Sequence, residues 1–130
     1  MAALRYAIRQ FLAFSERSAH AAGITPQQHQ ALLAIKGFPG RDRVTVGELA
    51  ERLQLRPHSA VGLIDRLVSE KLAARVPSVK DRRQVYIQLT PGGEKVLERL
   101  SSANREQLNR IGPELTLLLK QLAGLDRVRK

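Results

Sequence analysis

The sequence contains no cysteine and no long apolar run, and each absence narrows what the protein can be. Without cysteine, disulfide bridges, thiolate metal sites and thiol-based redox sensing by the chain itself are excluded. A helix needs about 20 consecutive apolar residues to cross a bilayer, and no such stretch occurs. The N-terminal residues also lack the pattern of a secretory signal peptide. We therefore expect a cytoplasmic protein that folds without disulfide bridges.

Residue patterns that carry catalysis are missing as well. No nucleophile is paired with a base, and no glycine-rich phosphate loop is present. His20 and His29 have no further ligand at metal-binding spacing, so we interpret both as surface or partly buried residues. The sequence thus predicts a protein that is not an enzyme and that holds no metal or other cofactor.

Positive charge is the most distinctive feature of the composition. The 130 residues include 22 Lys and Arg against 12 Asp and Glu, which gives a net charge of +10. This size suits one domain. The charge indicates an anionic partner, and nucleic acid is favoured over a membrane because no segment is both strongly amphipathic and lysine-rich on one face.

Two short helices joined by a tight turn are predicted between Thr45 and Lys71. The first opens at Thr45 with Glu48 three residues later, as in a capping box. Pro57 suits the first position of the second helix. The inner face of the second helix is predicted to hold Ala60, Val61, Ile64, Leu67 and Val68. A helix-turn-helix presents its second helix to a DNA major groove in this way.

A basic β-hairpin is predicted directly after these helices. Residues 73–77 and 84–89 flank a polar turn, and Val85, Ile87 and Leu89 alternate with polar or amphipathic neighbours. Residues 41–44 form a loop or a short strand that could pair with the hairpin. Between residues 71 and 83, five basic residues stand against one acidic residue, a net charge of +4. A basic hairpin beside the second helix suits contacts with phosphates.

Further helices are predicted on both sides of this unit. A helix over residues 3–20 ends near Gly23, and another begins at Thr25 and Pro26 and ends at the breaker 37–40. The first of these has an apolar side made of Leu4, Ile8, Phe11, Leu12 and Phe14.

The C-terminal part is predicted to contain two helices. Thr90 and Pro91 precede a helix from Glu94 to about Ile111, and Gly112-Pro113 is expected to end it. The last helix, residues 113–122, carries leucines around most of its circumference. Because a three-helix core cannot cover such a helix, we expect a second copy of the chain to cover it.

With its parts in this order, the chain resembles the MarR family of transcription regulators from residue 3 to residue 122. Four passages carry the resemblance: GITPQQHQALL at 23–33, TVGELAERL at 45–53 with Leu55, SAVGLIDRL at 59–67, and DRR at 81–83 with LTPGG at 89–93. The resemblance implies a mainly α fold with a β-hairpin wing. It implies one domain over 1–130, with a winged helix-turn-helix lobe at 24–90 and helical dimerisation segments at 1–23 and 94–125. Lys71 departs from the family, which usually has glycine there.

The resemblance also implies roles for particular residues. A homodimer would place each second helix in a major groove of a palindromic operator in double-stranded DNA, and a wing arginine in the adjacent minor groove. By position, the second helix would contact DNA through Arg56, His58, Ser59, Gly62 and Arg66. The wing would use Arg75, Lys80, Arg82 and Arg83, with Asp81 holding an arginine in place.

Two functional interpretations follow from these patterns. The first is a dimeric, sequence-specific DNA-binding regulator, a repressor that a small-molecule effector releases. In it, Phe11, Phe14 and Phe38 are candidates for lining a pocket for a small aromatic effector, although core packing is the commoner role for such residues. The second is a protein of the same fold that acts through protein or RNA partners without binding a specific operator.

Overall fold

The computed structural model describes residues 1–128, and it describes side chains through residue 124. The elements, in chain order, are α1 Ala2–Ala21, α2 Pro26–Lys36, β1 Arg43–Val44, α3 Val46–Leu53, α4 Pro57–Ser69, β2 Ala73–Pro77, β3 Val85–Leu89 and α5 Pro91–Val128. This mainly helical architecture with a small wing between terminal helices is the predicted fold class. Residues 129 and 130, which the predicted domain includes, lie outside the described residues.

The wing belongs to a three-stranded antiparallel sheet with strand order β1-β3-β2. Arg43 pairs with Gln88, and β2 pairs with β3 from Ala73 opposite Leu89 to Pro77 opposite Val85. The predicted short strand beside the hairpin is therefore confirmed. In β3 the alternating residues Ile87 and Leu89 are buried, whereas Val85, nearest the tip of the hairpin, remains exposed.

Threonine caps fix the starts of α2 and α3. Thr45 Oγ1 accepts a hydrogen bond from the backbone N–H of Glu48 at 3.2 Å, and the Glu48 carboxylate accepts one from the N–H of Thr45 at 2.8 Å. Thr25 and Gln28 form the same reciprocal box at the start of α2. These caps satisfy N–H groups that a helix start leaves free. The capping box that the sequence predicts at Thr45 is confirmed.

A single apolar core lies among α2, α3, α4 and the sheet, and it also includes Ala19 of α1 and Leu97 and Leu100 of α5. Its fully buried side chains include Leu32, Ile35, Leu49, Leu63, Ile64, Leu67 and Ile87. The predicted inner face of α4 was partly wrong. Val61 is 42% exposed and Leu63 is 1% exposed, because the buried stripe runs through positions 60, 63, 64 and 67, the i, i+3, i+4, i+7 spacing of one helix face.

α1 packs against α5, and its buried side is narrower than the predicted apolar side. Ala7, Ser15 and Ala19 are buried, whereas Ile8 and Leu12, which the sequence placed with the inner residues, are exposed. Small residues let α1 approach its neighbours closely, so the larger side chains beside them remain outside. The single chain therefore leaves an apolar surface on α1.

The predicted break at Gly112-Pro113 is wrong, since α5 continues as one helix past Pro113. Proline lacks the N–H that would bond to the carbonyl of residue 109, and its ring crowds the residue before it. Gly112 has no Cβ to meet that ring, which lowers the cost of continuing. No helix in the described part of the chain has the length and apolarity needed to span a membrane.

Candidate nucleic-acid interface

A sharp turn between α3 and α4 sets the direction of α4. Gln54 adopts a left-handed conformation with φ 55°, and the N–H of Leu55 donates to the carbonyl of Ala50 at 2.8 Å. Leu55 packs against the core while Pro57 begins α4. The turn thereby anchors one face of α4 in the core and leaves the opposite face outside.

The outer face of α4 carries most of the residues predicted to contact DNA. Arg56, His58, Ser59 and Arg66 are all exposed, and Gly62 is half-buried. A Cβ at Gly62 would meet nothing within 4 Å, so the helix surface is open at this point. Within the described residues, no carboxylate lies at ion-pair distance from Arg56 or Arg66. These two guanidinium groups are available to a ligand.

The C-terminal end of α4 is held by a left-handed residue, Lys71, with φ 62°. Lys71 stands where the family usually has glycine, and its backbone adopts a conformation that is unfavourable for a residue with a side chain. The N–H of Leu72 donates to the carbonyl of Leu67 at 2.9 Å, as in a Schellman motif. Thr90 Oγ1 donates to the Lys71 carbonyl at 2.6 Å, which ties this end to the start of α5.

Gly93, in the first turn of α5, lies too close to the backbone of Leu72 for any side chain. A Cβ at this position would lie 1.9 Å from the carbonyl oxygen of Leu72. Its N–H donates to Thr90 Oγ1 at 3.0 Å, which completes the cap. The first turn of α5 can therefore pack against Leu72, the residue before β2, only because residue 93 lacks a side chain.

The tip of the wing is shaped by backbone hydrogen bonds. Asp81 Oδ1 accepts from the N–H of Arg83 at 3.0 Å, and the Asp81 carbonyl accepts from the N–H of Gln84 at 3.0 Å. Asp81 thus holds Arg83 through the backbone of the turn, and within the described residues its carboxylate forms no ion pair with an arginine side chain. Lys80, Arg82 and Arg83 are exposed, and no described carboxylate pairs with them.

Arg75 differs from the other predicted wing contacts. Its guanidinium forms an ion pair with Asp65 of α4. Both side chains are substantially exposed, so the pair adds little stability, but it links β2 to the outer face of α4. The pair lies where the wing meets α4, and it occupies a guanidinium group that the resemblance assigned to contact with DNA.

A cluster of arginines and an aromatic ring near the wing was not predicted. The guanidinium carbons of Arg41 and Arg52 lie 4.5 and 4.9 Å from the centroid of the Phe38 ring. Arg41 also pairs with Glu48. Partial burial works to raise the pKa of Glu48, but hydrogen bonds from Thr45 and Arg41 outweigh it and hold that pKa below its ordinary value. The Phe38 ring is therefore a stacking surface for two arginine side chains. The feature of the sequence that could have indicated it is Arg41, three residues after Phe38.

The other two phenylalanines lie on α1. Phe11 and Phe14 are half-buried, and Phe14 lines a cleft of about 140 Å³ together with Ala103, Glu106, Gln107 and Arg110 of α5. Neither Phe11 nor Phe38 lines that cleft. This cleft therefore includes one of the three phenylalanines, and an effector pocket at these residues stays a prediction.

His29 was interpreted as a surface or partly buried residue, but its side chain is only 1% exposed. Ser15 Oγ of α1 lies 3.5 Å from His29 Nδ1, and Nε2 has no hydrogen-bond partner. Burial lowers the pKa of His29, which favours the neutral ring. Among residues 1–124, no group of three His, Cys, Asp or Glu side chains could hold a metal ion.

A helix-turn-helix followed by a β-hairpin, with long helices before and after it, defines a winged helix-turn-helix protein. The model of the MarR family matches residues 22–84, from the end of α1 through the tip of the wing. Over this winged helix-turn-helix unit the chain therefore matches the MarR family of regulators.

Relatives of this family align with the chain over the same region. It is 31% identical over 83 residues to the transcriptional repressor MdtR of Bacillus subtilis, covering 64% of the chain and 52% of MdtR. It is 33% identical over 85 residues to the transcriptional activatory protein BadR of Rhodopseudomonas palustris, covering 65% and 49%. The chain thus spans about half the length of these curated relatives, whose names place them among regulators and not among enzymes.

Similarity of fold extends further along the chain. A mutant of MepR from S. aureus, solved bound to an oligodeoxyribonucleotide, superposes with a TM-score of 0.72. The match covers 95% of this chain and 91% of that one at 22% identity. The terminal helices therefore belong to the shared architecture together with the winged lobe.

Proposed function

We propose that the protein is a dimeric transcription regulator that binds a palindromic operator in double-stranded DNA through α4 and the wing. The observation that carries the proposal is the combination of an outward α4 face with Arg56 and Arg66 and a wing tip with Arg82 and Arg83. Both surfaces belong to one lobe, in which β2 packs against α4 and Arg75 pairs with Asp65. Its predicted regulatory class matches the named functions of MdtR and BadR.

The two surfaces suit different parts of a DNA duplex. α4 presents short and polar groups, His58, Ser59 and Gly62, where a helix can approach base edges in a major groove. The wing tip presents guanidinium groups, which are weakly hydrated and permanently charged and therefore suit a narrow minor groove. Lys80 adds a contact with phosphates. Arg75 then acts by positioning the wing and contributes its charge to the same surface.

The apolar surface of the terminal helices supports a dimer. Tyr6, Ile8 and Leu12 of α1 and Leu108, Leu117 and Leu119 of α5 are exposed in the single chain. Large apolar groups at this density along two packed helices are typical of an interface. A two-fold axis through α1 and α5 would place two α4 helices on one side of the dimer, as an operator with two half-sites requires.

The direction of regulation forms a finer part of the proposal. We infer that the protein represses transcription, the role for which MdtR is named. Activation, the role for which BadR is named, is the alternative. Release by a small molecule would act on the spacing of the two lobes. Two clefts beside α1 favour this, one of about 140 Å³ at Phe14 and one of about 280 Å³ at His29. Transcription from a bound promoter with and without the protein distinguishes repression from activation.

The test is fluorescence anisotropy with duplex DNA selected from genomic fragments, measured from about 50 mM to about 200 mM salt. We compare the parent chain with Arg82→Ala/Arg83→Ala and with the control Lys95→Ala/Arg99→Ala, which removes the same charge from exposed positions on α5. Loss of a phosphate contact lowers the slope of log affinity against log salt by about 0.9. We expect the wing variant alone to flatten this slope. Weak binding to every fragment, with equal effects of both variants, would overturn the proposal in favour of a protein or RNA partner.

A further inference from the structure

The side chain of His29 lies between the helix that forms the proposed dimer interface and the winged lobe. It is buried, its Nδ1 faces Ser15 of α1 at 3.5 Å, and its Nε2 has no partner. A buried polar atom without a partner is costly and is uncommon in folded proteins. A cleft of about 280 Å³, lined by Leu12, Ser15, Glu16, Pro26, Gln27, His29 and Gln30, adjoins the ring. At His29 the contact between α1 and α2 is thus polar, one of the ring nitrogens lacks a hydrogen bond, and a cleft adjoins the ring.

The residue before His29 connects the same turn of α2 to α4. Gln28 is 4% exposed, and its amide nitrogen donates to the carboxylate of Glu70, the C-cap of α4. Its amide oxygen accepts from the N–H of Thr25 at 2.8 Å. One turn of α2 therefore contacts α1 through His29 and the end of α4 through Gln28. A movement of α1 relative to this turn would reach the end of α4 directly.

We propose that His29 is a proton-operated switch, whose neutral ring keeps α1 packed on α2 and whose protonation separates them and weakens DNA binding. The proposal rests on the proposed DNA-binding function. Its direction follows from the surroundings of the ring. An imidazolium has two N–H donors, but the site offers one hydroxyl at long distance, so the charged ring needs water from the adjoining cleft.

Acidic groups near His29 do not neutralise a charge on the ring. Glu16 of α1 lines the cleft, Glu70 is engaged with Gln28, and Glu94 of α5 pairs with Lys36 at the far end of α2. The sheet and α3 present apolar residues to the core side of α2, among them Val44, Leu49 and Ile87. Within the described residues, no carboxylate forms a hydrogen bond with His29. Burial accordingly lowers the pKa of His29, and protonation takes place only in acidic solution.

The chain offers a clean experiment because it contains only three histidines. A His20→Gln/His58→Gln background leaves His29 as the sole histidine, and adding His29→Gln gives a matched histidine-free protein. Both proteins lack the proposed DNA contact of His58, so the pH dependence is read from the difference between them. Operator affinity is measured for both from about pH 8 to about pH 5.5. We expect the sole-histidine protein to lose affinity on acidification, by up to about tenfold per pH unit for each protomer, relative to the histidine-free protein. Parallel pH curves for the two proteins would overturn the switch.

Hydrogen exchange without DNA separates this result from failure of the proposed function. We expect amides of α1 and α2 to exchange faster at low pH, relative to amides of α3, only when His29 is present. If the parent chain, which keeps His58, binds DNA at no pH, the proposed function fails, and the exchange comparison still decides the switch. If the His29→Gln chain does not fold, the comparison is replaced by NMR of the His29 ring in the sole-histidine protein. A ring that titrates together with α1 exchange supports the switch, and a ring that stays neutral throughout overturns it.

Discussion

The winged lobe and the terminal helices differ in how completely each is buried. In the lobe, one cluster including Leu32, Leu49, Leu63, Leu67 and Ile87 is almost completely removed from solvent. On α1 and on the C-terminal half of α5, large apolar residues are about half exposed. That cluster also includes residues of α1 and α5, so the terminal helices are covered on the side that faces the lobe and left uncovered elsewhere. Under the proposed function, the lobe would determine what is bound, and the uncovered helix surfaces would determine how two lobes are spaced.

The largest expected effect tests the uncovered helices. Leu117 and Leu119 are 56% and 55% exposed. Full burial of a leucine contributes about 1.5 to 3 kcal/mol, and a symmetric interface contains each position twice. We expect Leu117→Ser/Leu119→Ser to raise the dimer dissociation constant by about a thousandfold or more, measured by sedimentation equilibrium.

A control on the same helix separates interface burial from helix propensity. Lys120→Ser/Gln121→Ser changes two exposed polar residues of α5, and we expect it to leave the dissociation constant nearly unchanged. Equal weakening by both pairs of substitutions would contradict an interface at these leucines.

The second prediction concerns the lobe core. Leu67 is fully buried between α4 and its neighbours. Truncation to alanine leaves a cavity, and such changes cost about 2 to 5 kcal/mol. We expect Leu67→Ala to lower the free energy of unfolding by that amount in urea denaturation. Val61→Ala on the same helix should cost far less because Val61 is 42% exposed. Equal costs would place the buried face of α4 where the sequence had predicted it.

Local signals in the sequence were enough to predict the lobe. The Thr45 and Glu48 box, Pro57 at the start of α4 and the alternation in β3 each depend on residues within a few positions of one another. Such patterns determine where elements begin and which way they face. The positions predicted to contact DNA on α4 are accordingly outside the core, although their contacts with DNA stay a prediction.

The remaining features depend on contacts between distant residues. The sequence does not reveal that Asp65 pairs with Arg75, that Phe38 lies under Arg41 and Arg52, or that His29 is buried against α1. The continuation of α5 through Pro113 was missed for a related reason. A proline imposes a local cost, and whether a helix continues depends on the total packing along it.

The third prediction uses pH to compare the two regions. Burial depresses the pKa of His29 below its ordinary value of 6.5, so the unfolded chain binds a proton before the folded chain does. The contribution of His29 to stability is therefore complete above about pH 6.5 and falls as the solution becomes more acidic, by up to about 1.4 kcal/mol per pH unit. We expect urea denaturation of the sole-histidine protein to show this loss relative to the histidine-free one. If both proteins lose the same amount of stability on acidification, the loss is caused by carboxylates and not by His29.

The smallest effect tests a strained position at the junction of the two regions. Lys71 has φ 62°, a conformation that costs a side-chain-bearing residue about 1 kcal/mol and glycine almost nothing. We expect Lys71→Gly to raise the free energy of unfolding by about that amount, less the backbone entropy that glycine adds to the unfolded chain. Glu70→Gly is the adjacent comparison, since Glu70 has φ −89°, gains nothing from glycine and also loses the hydrogen bond from Gln28, so we expect it to lower the free energy of unfolding. A stabilisation by Glu70→Gly would contradict the link between the gain and the left-handed backbone at Lys71. A clear destabilisation by Lys71→Gly would show that the lysine side chain contributes more than its backbone costs. The strain would then be retained for a contact of Lys71 itself, beside the Thr90 hydroxyl that already holds its carbonyl.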